Sequence, residues 1–168
     1  MSEDNHAAPP GAPGDIPGPT VDLKLATLGQ RFLGALIDGV IMMVVISAYA
    51  ALSDRSVSAT PGEVVEMSDL LELSLIVMLV YLGLHGYLLH TCGQTIGKRL
   101  AGTRIVSATD GQIPPLGKIF GLRFVPIQLA GLIPGIGVFV AFIDVLFIFR
   151  GDRRCLHDFI AGTRVVQV

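Results

Sequence analysis

The chain has 168 residues, of which 51% are apolar and only 15% are charged, and its mean hydropathy is +0.65. A soluble domain of this length would carry more charge, so the composition excludes an ordinary soluble fold and favours one membrane domain. The net charge of −2, with no basic stripe and no interleaved aromatic residues, gives no sign of nucleic-acid binding.

The first 25 residues predict a disordered tail, because residues 1–25 are rich in proline and poor in large apolar side chains. They also lack the basic start and the short apolar core of a cleaved signal peptide. A single membrane domain is predicted from residue 28 to residue 168. Its helices are predicted at about residues 31–52, 70–91, 117–132 and 135–150.

The first two helices are predicted to span the membrane. Residues 32–52 are apolar apart from Asp38, and residues 73–89 contain no Asp, Glu, Lys or Arg. A helix of about 20 apolar residues crosses a hydrocarbon core of about 30 Å. The first segment is therefore long enough by itself, and the second is long enough with its flanks.

The third apolar block, residues 119–149, is too long for one helix and contains a turn signal. Pro134 and Gly135 in the stretch LIPGIG break the block into two arms. Each arm has about 15 residues, or about 22 Å at 1.5 Å per residue. The block therefore predicts a hairpin, which either makes two thin tilted crossings or re-enters the membrane against the other helices.

The distribution of Lys and Arg predicts the topology. The loop at residues 53–69 holds one Arg and four acids, whereas residues 92–118 and 150–168 are rich in Lys and Arg. Because Lys and Arg favour the cytoplasmic side, the first loop is predicted outside and both termini inside. The sequence thus predicts a multi-pass protein of a bacterial inner membrane, with the lipid bilayer as its surroundings.

A short phrase occurs twice, as AGTRIV at 101–106 and AGTRVV at 161–166. Both copies are β-branched, and Gly102 and Gly162 would supply a tight entry to each strand. We expect the copies to pair in a small cytoplasmic β-sheet, although chance similarity of two loops is the alternative. The predicted fold class is an all-α membrane protein: a four-helix bundle of two spanning helices and a short helical hairpin, with this small sheet.

The sequence resembles the RDD family of bacterial membrane proteins. The residues that carry the resemblance are RFLGALID at 31–38, GQTIGKRLAGTRIV at 93–106, LR at 122–123 and FIDVLFIFRGDRRCLHDFIAGTRVV at 142–166. The family is named for one arginine and two aspartates. Arg31 and Asp38 fit the first two by position, and either Asp144 or Asp158 fits the second aspartate. The resemblance implies transport as the usual function, with cation/proton exchange in some members.

Four polar side chains are predicted at nearly one depth below the inner surface. Counting from the inner ends of their helices at 1.5 Å per residue places Asp38, Asp144, His85 and Arg123 about 7–10 Å inside. One hypothesis is an ion or proton site, in which the aspartates bind a cation, His85 relays protons and Arg123 competes as a tethered counter-ion. The other is a structural set of buried ion pairs. Arg31 and Arg123 are the predicted charge partners of the aspartates, and Arg31 taken alone is expected to be an interface anchor.

A second cluster combines thiols and imidazoles. His90, Cys92, Cys155 and His157 have the chemistry of a zinc tetrahedron, but their one-residue spacings are unusual, and two interface thiols are the preferred interpretation. His157 and Asp158 are expected instead to tie the C-terminal segment to the hairpin by hydrogen bonds. No cofactor is therefore predicted.

The sequence contains no nucleophile–base pair, so an enzyme is not expected. Transport or binding of a small cation or proton is the leading functional hypothesis. A non-transporting membrane scaffold or assembly factor is the alternative. Because one chain of four short helices is small for a transporter, transport is expected to require a homo-oligomer; other protein partners are not indicated.

Overall fold

Two long apolar helices dominate the fold. The structure is a computed structural model, which describes residues 23–52, 66–133 and 135–168. Helix α1 (Leu28–Leu52) and helix α2 (Met67–Cys92) are long and apolar enough to cross a membrane. Each begins about three residues before its predicted start, and the two predicted spans are confirmed in that sense. Most of the loop predicted to lie outside the cell falls beyond the described residues.

The third apolar block forms the two helical arms that the turn signal predicts. The first arm contains α4 (Leu116–Lys118), a π-helical segment (Ile119–Phe124) and α5 (Val125–Ala130). The second contains α6 (Ile136–Leu146) and a 3₁₀ turn (Phe147–Phe149).

The first arm departs from the regular helix that was predicted. The backbone N–H of Val125 donates to the carbonyl of Phe120, five residues back, at the end of the π-helical segment. Pro126 follows immediately and has no N–H with which to resume the ordinary ladder at Leu122. The proline thus accounts for a wider helical turn around Arg123.

The two copies of the repeated phrase form one antiparallel sheet. Strand β1 (Thr103–Ser107) pairs with strand β2 (Thr163–Gln167), so that Thr103 lies opposite Gln167 and Ile105 lies opposite Val165. The predicted pairing is therefore confirmed. Gly102 and Gly162 have φ values of +65° and +60°, a left-handed conformation that glycine adopts without steric cost.

The N-terminal segment lies along the outer edge of β2. Leu25 forms a bridge with Val166, and the backbone N–H of Gln167 donates to the carbonyl of Lys24 at 2.9 Å. Lys24 and Leu25, the last residues of the predicted tail over residues 1–25, thus bond to the outer edge of β2. The rest of that tail lies outside the described residues.

The sequence similarity extends into a structural repeat on each side of the hairpin. Residues 94–107, the first repeat, contain α3 (Ile96–Leu100) and β1; residues 154–167, the second repeat, contain α7 (Leu156–Ile160) and β2. The residues equivalent by sequence, Ile105 and Val165, lie directly opposite each other. An approximate two-fold axis therefore passes through this pair.

Backbone and side-chain hydrogen bonds obey the same approximate two-fold symmetry. Ala108 donates to the carbonyl of Gly162, and Val168 donates to the carbonyl of Gly102. At the start of the repeats, Gln94 Nε2 donates to the carbonyl of Thr103 at 2.7 Å, and Arg154 Nε donates to that of Thr163 at 2.9 Å. The repeats thus share a hydrogen-bond framework that side-chain identity alone does not reveal.

The buried core lies where the sheet meets the ends of the long helices. Its members are Ala26, Leu89, Ile105, Ile119 and Val165. Helix α1 packs chiefly against the short helix α3. A Cβ atom on Gly97 would lie 2.1 Å from the carbonyl oxygen of Gly34, so the backbones meet directly at this crossing.

Candidate functional site

Polar side chains from several elements surround one cavity of about 280 Å³. The chargeable and amide residues that line it are Asp38, Lys98, Arg123, Gln128, Asp144 and His157. Three of the residues predicted at one depth, Asp38, Arg123 and Asp144, therefore meet at one place. The fourth, His85, lies behind Asp38.

Asp38 is held by the N-terminal turn of α3. Its Oδ1 accepts a hydrogen bond from the backbone N–H of Gly97 at 2.7 Å, and its Oδ2 accepts one from the Thr95 hydroxyl at 2.5 Å. The ammonium group of Lys98 lies 3.7 Å from Oδ2. The small residue Gly97 is what allows α3 to approach the carboxylate so closely.

His85 is fully buried and points toward the same carboxylate. Its Nδ1 accepts from the backbone N–H of Ile96 at 3.4 Å, which places the ring proton on Nε2. Nε2 lies 3.9 Å from Asp38 Oδ1 and has no hydrogen-bond partner within the described part of the chain. The ring of Tyr81 packs edge-on against the imidazole at 4.8 Å. His85 therefore presents an unused donor to Asp38.

Asp144 holds the N-terminal turn of α7 in the equivalent way. Its Oδ1 accepts from the backbone N–H of His157 at 2.8 Å. Its Oδ2 lies 2.7 Å from Nδ1 of the same residue. Gly97 and His157 occupy equivalent positions in the two repeats. Asp38 of α1 therefore caps α3, and Asp144 of α6 caps α7.

Asp158 forms a separate buried ion-pair centre. Its Oδ1 lies 2.7 Å from Arg123 Nη1, and its Oδ2 accepts from Arg31 Nη2. The backbone N–H of Cys155 also donates to Oδ2 at 3.1 Å. Burial alone would raise the pKa of Asp158, but the charge of Arg123, helped by Arg31, outweighs burial and holds this pKa below its ordinary range.

This centre corrects two predictions about the arginines. Arg31 is a charge partner rather than an interface anchor, because its side chain is only 7% exposed and is paired with Asp158. Arg123 also pairs with Asp158, rather than with Asp38 or Asp144. The reason is tertiary: α7 inserts Asp158 between the start of α1 and the π-helical segment, a placement that counting along one helix does not predict.

Lys98 and Gln128 also line the cavity, although neither was predicted as a site residue from the sequence. The side chain of Lys98 is only 18% exposed and faces Asp38. Burial, followed by the charge of Arg123, lowers the pKa of Lys98 to about 8. Gln128 had a detectable signal, since it is the single amide in an arm that is apolar apart from Lys118 and Arg123.

The zinc tetrahedron considered from the sequence does not form. Ligand atoms of Cys155 and His157 do lie together, but their third neighbour is Asp144. The two-fold axis explains the absence of Cys92 from this group, because the residue equivalent to Cys155 is Thr95. His90 is exposed at the end of α2 and also lies outside the group.

Comparison of the sequence with known protein families identifies one match. The sequence pattern of the RDD family matches residues 25–162, from the Leu25 bridge to the glycine before β2. The chain belongs to the RDD family. The resemblance inferred from the motifs is thereby confirmed. This RDD chain also has two helices that are long and apolar enough for a membrane protein.

Two relatives of the RDD chain extend the comparison. It is 28% identical over 145 residues to an uncharacterized protein of Haemophilus influenzae (strain ATCC 51907 / DSM 11121 / KW20 / Rd), which covers 86% of this chain and 80% of that protein. It is 39% identical over 77 residues to the uncharacterized protein YckC of Bacillus subtilis (strain 168), covering 44% and 46%, respectively. No solved structure matches the chain.

Proposed function

We propose that this RDD protein binds and transports a small cation or a proton across the bacterial inner membrane. One observation carries the proposal: Asp38 and Asp144, which come from two apolar helices, line the same polar cavity. Ionisable residues within membrane helices are costly and generally mark ion or proton pathways. Carboxylate oxygens are also suitable ligands for a hard cation.

Lys98 takes the role of tethered competing cation that was first assigned to Arg123. Its ammonium group lies beside Asp38, whereas Arg123 is engaged by Asp158. A cation that binds Asp38 would displace this ammonium group and favour loss of its proton. Binding would thus be coupled to proton release, and His85 would accept or supply a proton behind the carboxylate.

The proposed orientation places both termini and the sheet in the cytoplasm, with the four apolar helices forming a bundle in the membrane. It rests on the Lys/Arg asymmetry between the loops. A Cys introduced at Ser58 should react with an impermeant thiol reagent added outside, and one at Thr109 should be protected. Equal labelling at both positions would contradict the orientation.

Transport by this chain is proposed to require a homo-oligomer in the bilayer. The hairpin arms are short, and large apolar side chains such as Phe139 and Phe142 remain exposed on α6. Crosslinking in native membranes, at expression levels low enough to exclude random collisions, should capture a defined oligomer. A purely monomeric population with full flux would exclude this requirement.

The transport proposal is tested by ion flux into liposomes. We expect wild-type protein to carry flux and both Asp38→Asn and Asp144→Asn to lose it by at least tenfold while remaining folded. Asp69→Asn is the matched control, since Asp69 is an exposed acid in the first turn of α2. Intact flux in Asp38→Asn would remove this carboxylate from the mechanism.

A membrane scaffold is the second candidate, and a specific observation favours it. Both cavity carboxylates already accept hydrogen bonds from the turns that they cap: Asp38 from Gly97 and Thr95, and Asp144 from His157. Thermal unfolding of the same variants separates the two functions. Absence of wild-type flux together with a large loss of stability in both Asp variants would favour the scaffold.

A further inference from the structure

The second repeat brings three different metal-binding groups together at the edge of the cavity. One ligand atom each from Asp144, Cys155 and His157 lies within 4.8 Å of the others. Asp144 and Cys155 are buried, and His157 is half-buried. Carboxylate oxygen, thiolate sulfur and imidazole nitrogen are the three donor types that zinc uses in proteins.

The first repeat shows that this convergence is not needed to cap the short helix. There, Thr95 and Gly97 hold Asp38 with one hydroxyl and one backbone N–H. Threonine is also a good N-cap residue, and its hydroxyl accepts from the backbone N–H of Lys98 at 3.2 Å. The second repeat preserves the same cap but carries Cys155 and His157, whose side chains turn toward Asp144.

Packing explains why only the second repeat has room for an imidazole. A Cβ on Gly97 would collide with the backbone of α1 at Gly34. At the equivalent position, His157 fits beside Asp144 with its ring still partly accessible, and both residues line the cavity. An ion in the cavity therefore has a path to these groups.

We propose that Asp144, Cys155 and His157 form a three-ligand site for a divalent transition metal of the zinc class, with its fourth position open to the cavity. In a tetrahedral zinc site, sulfur and nitrogen ligands lie about 3.5 Å apart, given bonds of about 2.3 and 2.0 Å. The longest of the present separations, up to 4.8 Å, would shorten by about an ångström on binding, whereas Nδ1 of His157 and Oδ2 of Asp144, now 2.7 Å apart, would move apart to admit the ion.

The proton balance of binding follows from the present hydrogen bonds. Nδ1 of His157 donates to Asp144 Oδ2; a metal between these atoms would replace that proton, which moves to Nε2 of the same ring. Nε2 lies 3.7 Å from Asp158 Oδ1, an outer carboxylate that would accept from it. The Cys155 thiol loses its proton to solvent, so one metal ion releases one proton.

Cobalt(II) provides a direct test on the full chain in detergent with a non-thiol reductant. We expect a thiolate-to-cobalt charge-transfer band in wild-type protein, removed by added zinc. The band should be unchanged in Cys92→Ser, which alters the other cysteine, and absent in Cys155→Thr. The latter variant carries the residue that caps the first repeat, so its fold should be retained, as checked by circular dichroism.

His157→Gln and Asp144→Asn should each weaken cobalt binding by about 10–100-fold. The proposal is overturned if wild-type protein gives no thiolate band, if the band persists in Cys155→Thr, or if it is lost in Cys92→Ser. Because binding is measured in detergent without any flux, failure of the transport proposal would leave the result intact. Zinc should also raise the unfolding temperature of wild-type protein and not that of Cys155→Thr.

Discussion

The two repeats use one backbone framework to hold two different sets of side chains. In each, a five-residue helix receives an aspartate at its first turn and continues through Ala-Gly into a strand. The third helical position is Lys98 in the first repeat and Asp158 in the second. The framework therefore fixes where Asp38 and Asp144 lie, whereas the third helical position places Lys98 at the cavity and Asp158 in the buried ion-pair centre.

The largest difference between the repeats should appear at this third position. Asp158→Asn leaves Arg31 and Arg123 without their buried carboxylate, and we expect a loss of about 3–5 kcal/mol in unfolding free energy. Lys98→Gln at the equivalent position should cost much less. Thermal unfolding in detergent measures both, and equal losses would show that the repeats are not functionally divided in this way.

Gly97→Ala tests the backbone contact that exists only in the first repeat. The added methyl group would meet the Gly34 carbonyl, so we expect a loss of about 1–3 kcal/mol or more from overpacking. Gly39→Ala on α1 is the control, because a Cβ there meets nothing within 4 Å. A neutral Gly97→Ala would mean that α1 and α3 separate without cost.

The two N-cap residues should differ by a smaller amount. Thr95→Ala removes a hydroxyl that donates to Asp38 and accepts from Lys98, and we expect a loss of about 0.5–2 kcal/mol. Cys155→Ala in metal-free protein should cost less, since sulfur is a weak acceptor. Unfolding curves recorded in the presence of a chelator measure both losses of stability. A larger loss for the Cys155 variant than for the Thr95 variant would contradict the prediction.

A pH dependence of stability is also expected from Lys98. Its folded-state pKa of about 8 lies below the ordinary lysine value of about 10.4, so the unfolded chain binds more protons between these limits. Stability should therefore rise as pH increases from about 8 to about 10 and should be flatter in Lys98→Met. Unfolding temperature across this range provides the measurement; parallel curves for the two proteins would contradict it.

The sequence was sufficient for features that depend on local pattern. The apolar lengths of α1 and α2 predicted spanning helices, and the repeated phrase predicted the pairing of β1 with β2. The shared depth of Asp38 and Asp144 also predicted their meeting at one cavity.

Features that depend on the meeting of distant segments could not be predicted in the same way. The partner of Arg31 is 127 residues away along the chain, and no periodicity within α1 identifies Asp158. The sequence gives no sign that Lys98 faces Asp38, because the burial of α3 against Gly34 is a property of the packed helices. The exchange of Thr95 for Cys155 became informative only once the two-fold axis showed that these positions correspond.

The position of β2 in the chain has a consequence for biosynthesis. β1 leaves the ribosome before the hairpin arms, but its partner follows α6 and α7, so the sheet and the pairing of Asp158 with Arg31 cannot form until those arms have been made. During translation, β1 is thus an open edge strand and Arg31 an uncompensated charge. Only chains with a complete hairpin could therefore form the sheet. Stalled chains would lack it, and we expect proteases to remove them.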